Sequence, residues 1–452
     1  MNLLIKNGTV INANGRYKAD VAIDDGKIIL VEKNIEPEVQ TEVVDASGLF
    51  VLPGAVDVHT HFELYFGEFS SADDFFTGTK AAACGGVTTI IDFVTPCKNE
   101  SLLIALNKRK TSADPKVCID YSLHMGLSEV NDSILDEMEA VMNLGVPSFK
   151  VFTTYAFKLT DDEFRRTFVC SKELNATVLV HAEDHEMLEA NRARFIAEGK
   201  TDAWHHYLSR PEEVEAKSVK NVIEIAKQTE ATIYIVHLAC AEGLKAVEEA
   251  QKAGYPIYAE TCPQYLNFTC DVYKRPDGRN FVCSPAIKNE ESREVLRKSI
   301  SSHQKTGIST VATDHCPFNT YEKDLGKNDF TKIPNGVMGV ENLYPYMLSE
   351  ANKGLVSFER VVELCARNPA KIFSLNQKGT ISAGKDADIV LYDPKKDFKI
   401  SQKNMHSNID YTIWEGVELK GYPVSTYSRG MLVYKDGEFL GKEGYGEFIK
   451  RK

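Results

Sequence analysis

The stretch "VDVHTHFELYFGEF", Val56 to Phe69, sets two histidines one residue apart at the end of a mostly apolar run from Leu49 to Val58. Residues i and i+2 of a strand point to one face, so His59 and His61 would leave a strand end together. Such a pair is either half of a metal site or a polar strand end. The rest of the chain has to decide between the two.

Read outward, the stretch is the first of eight candidate strands. The others are "VTTIIDFVTP", "VCIDYSLHMG", "PSFKVFTTY", "TVLVHAED", "TIYIVHLA", "PIYAETCPQYL" and "STVATDHCPF", and the first runs as "LFVLPGAVDVHTH" from residue 49 to residue 61. Long amphipathic stretches such as "NDSILDEMEAVMNLG" and "KSVKNVIEIAKQTEA" lie between them. Strand–helix alternation predicts parallel strands with helical crossovers. Eight such units predict an α/β protein with a (β/α)8 TIM-type barrel, whose functional residues gather at the C-terminal strand ends. A doubly wound open sheet would carry a G-x-G-x-x-G turn after its first strand, and none is present.

Both ends of the chain read differently. "LLIKNGTVINANG" turns at Asn7-Gly8, "DVAIDDGKIILVE" turns at Asp25-Gly26, and "GKDADIVLYDP" and "YSRGMLVYKDGEFLG" are again strand and hairpin material. The expected organisation is a catalytic barrel over 51–375. A second, small β-sandwich domain is built from 1–50 and 376–452.

Composition narrows the class. A net charge of −12 argues against nucleic-acid binding, because a phosphate backbone selects basic surfaces. The ten cysteines, from Cys84 to Cys365, form no C-x-x-C pair and read as reduced thiols. "MNLLIKNGTVINANG" carries no signal-peptide pattern and no apolar run reaches the length of a membrane span, so the expected location is the cytoplasm.

Polar residues at the strand ends supply the other half of the opening motif. Lys150 sits inside the fourth strand, His181 ends the fifth, His237 ends the sixth and Asp314 ends the eighth. Any one of these reads as a satisfied polar residue. Four histidines, a lysine and an aspartate at comparable positions on five of eight strands do not. Imidazoles and a carboxylate suit zinc and related divalent ions, and the lack of thiolates argues against a closed structural site. Two cations roughly 3.5–4 Å apart need an anionic bridge. An ammonium cannot serve, whereas the carbamate of a lysine that has reacted with CO2 offers one oxygen to each ion.

The chain resembles the dihydropyrimidinase/D-hydantoinase family, the cyclic amidases of the amidohydrolase superfamily. The resemblance spans nearly all of it. It is carried by "GAVDVHTHFEL", "SADDFFTGTKAAACGGVTTIIDF", "FKVFTTY", "VHAED", "SRPEEVEA", "YIVHLA", "AETCPQYL", "TDHCPFN", "DFTKIPNGVMGVE", "NPAKIFSL" and "GTISAGKDADIVLYDP". It implies two Zn2+ held by His59, His61, carboxylated Lys150, His181, His237 and Asp314, and substrate contacts by Tyr155, Ser284 and Asn335. It also implies a homotetramer. Most members follow "VHAE" with Asn-Gly, where this chain has Asp184-His185, and "CSPAIK" stands where Ser-Pro-Pro is commoner. Leu343 stands where an arginine is usual. None of these departures removes a ligand.

The implied reaction is hydrolysis of a 5,6-dihydropyrimidine or a 5-substituted hydantoin to an N-carbamoyl amino acid. Asp314 is expected to carry the proton and Tyr155 to stabilise the oxyanion. Allantoinase, dihydroorotase and a non-catalytic dihydropyrimidinase-like scaffold are the alternatives. The scaffold is disfavoured because all six ligands are present. Leu64, Tyr65, Phe66 and Phe69, with Phe152 and Phe157, are expected to make the barrel mouth apolar. The partner is then a small cyclic ureide, with no nucleic acid and no membrane.

Overall fold

The computed structural model describes residues 1–66, 69–302 and 306–452, with Phe66 described by its backbone alone. Its centre is an all-parallel sheet of eight strands. In chain order these are β1 (Ala55–Thr60), β2 (Val87–Val94), β3 (Asp120–Gly126), β4 (Ser148–Phe152), β5 (Thr177–His181), β6 (Thr232–Ile235), β7 (Ile257–Thr261) and β8 (Thr310–Val311). Each pairs with the next. A parallel bridge between Thr60 and His315 brings the first strand against the chain just after the last. There the His61 N–H donates to His315 O at 2.8 Å and the His315 N–H donates to His59 O at 3.3 Å. The protein is a (β/α)8 barrel, with all eight expected strands in place.

Every residue of β2 is buried, as expected for a strand covered on both faces. The crossover helices begin where the sequence supplies a capping oxygen. Asp74 caps Phe75–Cys84, Asn131 caps Asp132–Asn143 and Thr160 caps Asp161–Glu173. The helix Asp132–Asn143 turns Ile134, Met138 and Val141 inward.

The run read as one first strand is two. Phe50–Pro53 pairs antiparallel with Ile389–Asp393 in a separate seven-stranded sheet, and only Ala55–Thr60 enters the barrel. Gly54 is the step between them. Its N–H donates to Asp388 O at 2.9 Å, and a Cβ there would lie 2.1 Å from Thr88 Oγ1. Both halves are buried on two faces, so the apolar run continues across the break and no change of period marks it.

The seven-stranded sheet joins segments from the two ends of the chain. A four-stranded sheet of N-terminal segments faces it, with Ile5, Val10, Val21, Ile23, Val51, Ile389 and Leu391 in the core between them. Asp25-Gly26 makes a two-residue hairpin with left-handed φ at both positions (45° and 72°), a type I′ turn. Asn7-Gly8 does not make a hairpin. Leu3–Lys6 pairs with Asp20–Asp24 and Glu42–Asp45, whereas Thr9–Asn12 pairs with Gly15–Lys18 and Phe50–Pro53. The dipeptide therefore carries the chain from one sheet to the other. A local turn signal cannot say whether its flanking strands pair.

The C-terminal tail runs under the barrel. The Ile449 N–H donates to Tyr121 O at 2.7 Å, and Arg451 is buried beneath β3 and β4, with its Nη2 2.8 Å from Ser148 Oγ. Among the described residues no helix is long and apolar enough to cross a membrane.

Candidate active site

The six expected residues come together at the C-terminal end of the barrel strands. His59 and His61 leave the end of β1, and both bring Nε2 to Asp314 Oδ1, at 3.2 Å and 3.1 Å. The ligand atoms of His59, His237 and Asp314 all lie within 4.8 Å of one another. His181, at the end of β5, meets His237 with Nδ1 2.9 Å from Nε2. Lys150 lies in β4 with its Nζ 5.3 Å from each of the Phe93 and Phe152 ring centres. His237 and Asp314 fall just beyond β6 and β8, both with left-handed backbone (φ 39° and 53°). Tyr155, past β4, has φ 74°. Non-glycine residues in this region cost about 1–3 kcal/mol each and cluster at functional sites.

Two carboxylates that carry no expectation from the sequence set the histidine tautomers. Glu260 in β7 stands 2.7 Å from His59 Nδ1, and Glu183 stands 2.9 Å from His181 Nε2. Glu260 also accepts from the His237 N–H and the Tyr234 hydroxyl, each at 2.9 Å. It is an acceptor on three sides, so His59 Nδ1 carries the hydrogen and Nε2 carries the lone pair. Burial holds His59 and His237 well below the usual imidazole range and lowers His181 as well. Burial works to raise Asp314, but His59 and His61 outweigh it and hold its carboxyl below the ordinary value.

Neutral imidazoles with lone pairs aimed at a carboxylate oxygen need a cation between them. The His59 Nε2–Asp314 contact has that form, while His181 Nδ1 faces His237 Nε2. The buried Nδ1 atoms of His61 and His237 have no hydrogen-bond partner. Lys150 is 2% exposed, and its amine makes no hydrogen bond or ion pair with any described residue. Burial pushes that amine down to about 7, against the pull of Asp314 and Glu260. The donor set fits divalent cations.

A model of the amidohydrolase family matches residues 50–433. The chain belongs to the amidohydrolase family. D-phenylhydantoinase of Escherichia coli O7:K1 (strain IAI39) is 42% identical over 457 aligned residues, covering 100% of this chain and 98% of that protein. D-hydantoinase from a Bacillus sp. superposes with a TM-score of 0.97 at 39% identity, covering 100% of this chain and 99% of that one. Dihydropyrimidinase from Brevibacillus agri gives 0.96 at 39%, with the same coverage. L-hydantoinase from Arthrobacter aurescens gives 0.92 at 28%, covering 100% of each chain. Relatives named for opposite enantiomers thus share one amidohydrolase backbone.

Beside the candidate ligands of this amidohydrolase, Tyr155 lies with its ring centre 5.3 Å from that of His181. Arg210 is buried beside it, 6.0 Å from its ring centre, with Nη1 2.5 Å from Glu183 Oε2. Burial raises the Tyr155 hydroxyl pKa while the Arg210 guanidinium draws it back. Burial opposes the Glu183 charge, yet Arg210 and then His181 hold that carboxyl well below its usual range. Asn335 Oδ1 is buried without a hydrogen-bond partner among the described residues, and the buried Ser284 hydroxyl lies close enough to the Tyr155 hydroxyl to help lower its pKa. The loops of Ser284 and Asn335 are tied by Lys323, whose Nζ donates to Val282 O at 2.9 Å and to Pro334 O and Gly336 O at 2.8 Å. Glu183, Arg210, Glu260 and Lys323 carried one weak sequence signal each, a charged residue inside an apolar or turn-rich stretch.

Other clusters do not belong to the site. His124 in β3 bonds Ser148 Oγ at 2.6 Å and Val58 O at 3.1 Å, and is a satisfied core histidine. Asp120, Asp386 and Asp388 converge at the opposite end of the barrel, but three cations already pair with them: Lys378 at 2.5, 2.9 and 2.8 Å, Lys27 on Asp386 at 2.5 Å and Arg429 on Asp120 at 3.2 Å. All ten cysteines are free thiols.

At the mouth, Phe152, Tyr155 and Phe157 form an aromatic cluster. Phe152 lies 4.7 Å from Phe157 and 5.7 Å from His181, ring centre to ring centre. Tyr65 is 80% exposed, and Leu64 and Phe69 are partly buried. The side chain of Phe66, with Gly67 and Glu68, lies outside the described residues.

Proposed function

We propose that this protein hydrolyses the ring of 5-substituted hydantoins and 5,6-dihydropyrimidines to N-carbamoyl amino acids. The observation that carries the reading is the convergence of His59, His61, Lys150, His181, His237 and Asp314 on one pocket, in a chain that matches D-phenylhydantoinase end to end.

Two divalent cations, held by those six residues, would polarise the ring carbonyl and lower the pKa of water to near neutrality. Lys150 would help to hold both cations once its amine has added to CO2 and lost a proton, giving a carbamate. A buried amine near pKa 7 and free of partners supports that step. Asp314, kept ionised by His59 and His61, takes the proton from water as its oxygen adds to the carbonyl carbon. It then returns the proton to the ring nitrogen as the C–N bond breaks. Tyr155 remains protonated and donates its hydroxyl hydrogen to the developing oxyanion. Main-chain groups around Ser284 and Asn335 would recognise the N–H and C=O edge of the ring. Glu260 and Glu183 hold His59 and His181 in their tautomers.

The aromatic cluster of Phe152, Tyr155 and Phe157 favours apolar substituents, at about 0.8 kcal/mol per buried methylene. Allantoin and dihydroorotate gain nothing comparable against it. The reading further takes the cations as zinc, the assembly as a homotetramer and the compartment as the cytoplasm. The imidazole-rich donor set supports the first, and family resemblance alone supports the assembly. Pairing of Phe50–Pro53 with the C-terminal sheet supports a first domain boundary at Gly54, with the second near residue 375.

A hydrolysis panel of dihydrouracil, hydantoin, phenylhydantoin, allantoin and dihydroorotate, run beside metal analysis, tests the reading. The expected result is near two zinc per chain and the highest kcat/KM on hydantoins or dihydrouracil. A higher kcat/KM on allantoin would overturn the substrate assignment, and absence of bound metal would overturn the mechanism.

A further inference from the structure

Beside Tyr155 the surface opens into a cavity of about 570 Å3, walled by Tyr155, Lys158, His185, Leu188, Glu189 and Arg192. Tyr155 lines both this space and the proposed site, so the two adjoin at its ring. We propose that it is a subsite for a substrate arm that ends in a carboxylate, which makes 5-(carboxyalkyl)hydantoins substrates. This inference rests on the hydantoinase reading.

The chemistry of the walls supports it. Lys158 is exposed, and its Nζ makes no hydrogen bond or ion pair with any described residue. Arg192 pairs with Glu189 at 2.7 Å and reaches Thr331 O at 3.5 Å, so it is neutralised once. Two cations and one carboxylate leave a net charge of about +1, matched to a monoanion rather than to a phosphate. His185 Nδ1 is engaged by Thr154 Oγ1 at 3.2 Å, and the ring stands at the first residue of the helix His185–Ala197, whose N-terminus the Asp184 carboxylate already caps, so the attraction for an arm's charge falls to Lys158 and Arg192. Leu188 is buried and offers apolar contact to methylenes on the way. The aromatic cluster passes an aliphatic arm, and the basic wall beyond receives its charged end.

The test compares kcat/KM for 5-(2-carboxyethyl)hydantoin with that for its neutral isostere 5-(2-carbamoylethyl)hydantoin, in the metal-loaded full-length enzyme. The expected ratio is about fivefold in favour of the acid at low salt, falling toward one at 0.5 M NaCl, as for a solvent-accessible charge contact of roughly this strength. Lys158→Ala should lower the ratio about threefold and Lys158→Glu should bring it below one, in favour of the neutral isostere. Lys158 is on the surface, so neither change threatens folding. A ratio at or below one in the unaltered enzyme, or one that Lys158→Glu leaves unmoved, overturns the subsite while hydrolysis of 5-alkylhydantoins keeps the parent reading standing. Failure to hydrolyse any hydantoin overturns both.

Discussion

Glu260, in β7, takes the Nδ1 hydrogen of His59 at 2.7 Å, and the opposite nitrogen of that ring faces Asp314 Oδ1 at 3.2 Å. One buried carboxylate thus determines which lone pair His59 offers to the site. Glu260→Gln keeps the shape and replaces one oxygen with an N–H donor, which frees His59 to adopt the other tautomer. Metal affinity or activity should fall about 10–100-fold with little change in fold. Competition with a chelator for bound zinc measures the first, and unchanged affinity would mean that Glu260 does not orient His59.

Lys150→Ala should remove activity and lower metal content, since nothing else in the pocket replaces a bridging carbamate. Short carboxylic acids added to that variant should restore part of both. Lys150→Arg should fail as well, because a guanidinium stays charged and cannot be carboxylated. Full activity with two metals in Lys150→Ala would end the carbamate proposal.

Asp314→Asn and Tyr155→Phe should fail differently. The first loses proton transfer and a ligand, so turnover should drop by orders of magnitude together with metal content. The second loses one oxyanion donor, lowering kcat on the order of 10²–10³ with metal retained. A Tyr155→Phe effect confined to KM would make the phenol a binding wall only.

The pH dependence of the metal-free protein should report Lys150. Burial pushes its pKa from 10.5 down to about 7, so between those values the unfolded chain binds a proton that the folded chain does not. Stability from this group therefore rises with pH across that window. Lys150→Met should be more stable than the chelator-treated parent at pH 7, and the advantage should shrink toward pH 10. Parallel Tm profiles for the two proteins would show that the amine is not desolvated. The same proton blocks addition to CO2, so activation by bicarbonate should weaken below pH 7.

Gly54→Ala should destabilise the protein by about 1–3 kcal/mol, the usual cost of overpacking, because its Cβ would stand 2.1 Å from Thr88 Oγ1. Thr88→Ala in the same chain should return part of the loss. Thermal unfolding of the two variants decides it, and an unaltered Tm in Gly54→Ala would mean that the step between sheets has slack.

The sequence by itself determined the barrel, its strand count and the six residues at the C-terminal strand ends. Strand and helix periods are local, and ligands need particular side chains, so both are written in residue types along the chain. Tertiary structure alone decided what joins distant segments. It split the run 49–61 between two sheets at Gly54 and passed Asn7-Gly8 from sheet to sheet instead of closing a hairpin. It also set Glu260 on His59, and Arg210 between Glu183 and Tyr155. Strand pairing and burial of charge depend on which segments meet across tens or hundreds of residues. A buried carboxylate has the same letter as a solvated one, and only its neighbours in space give it a role.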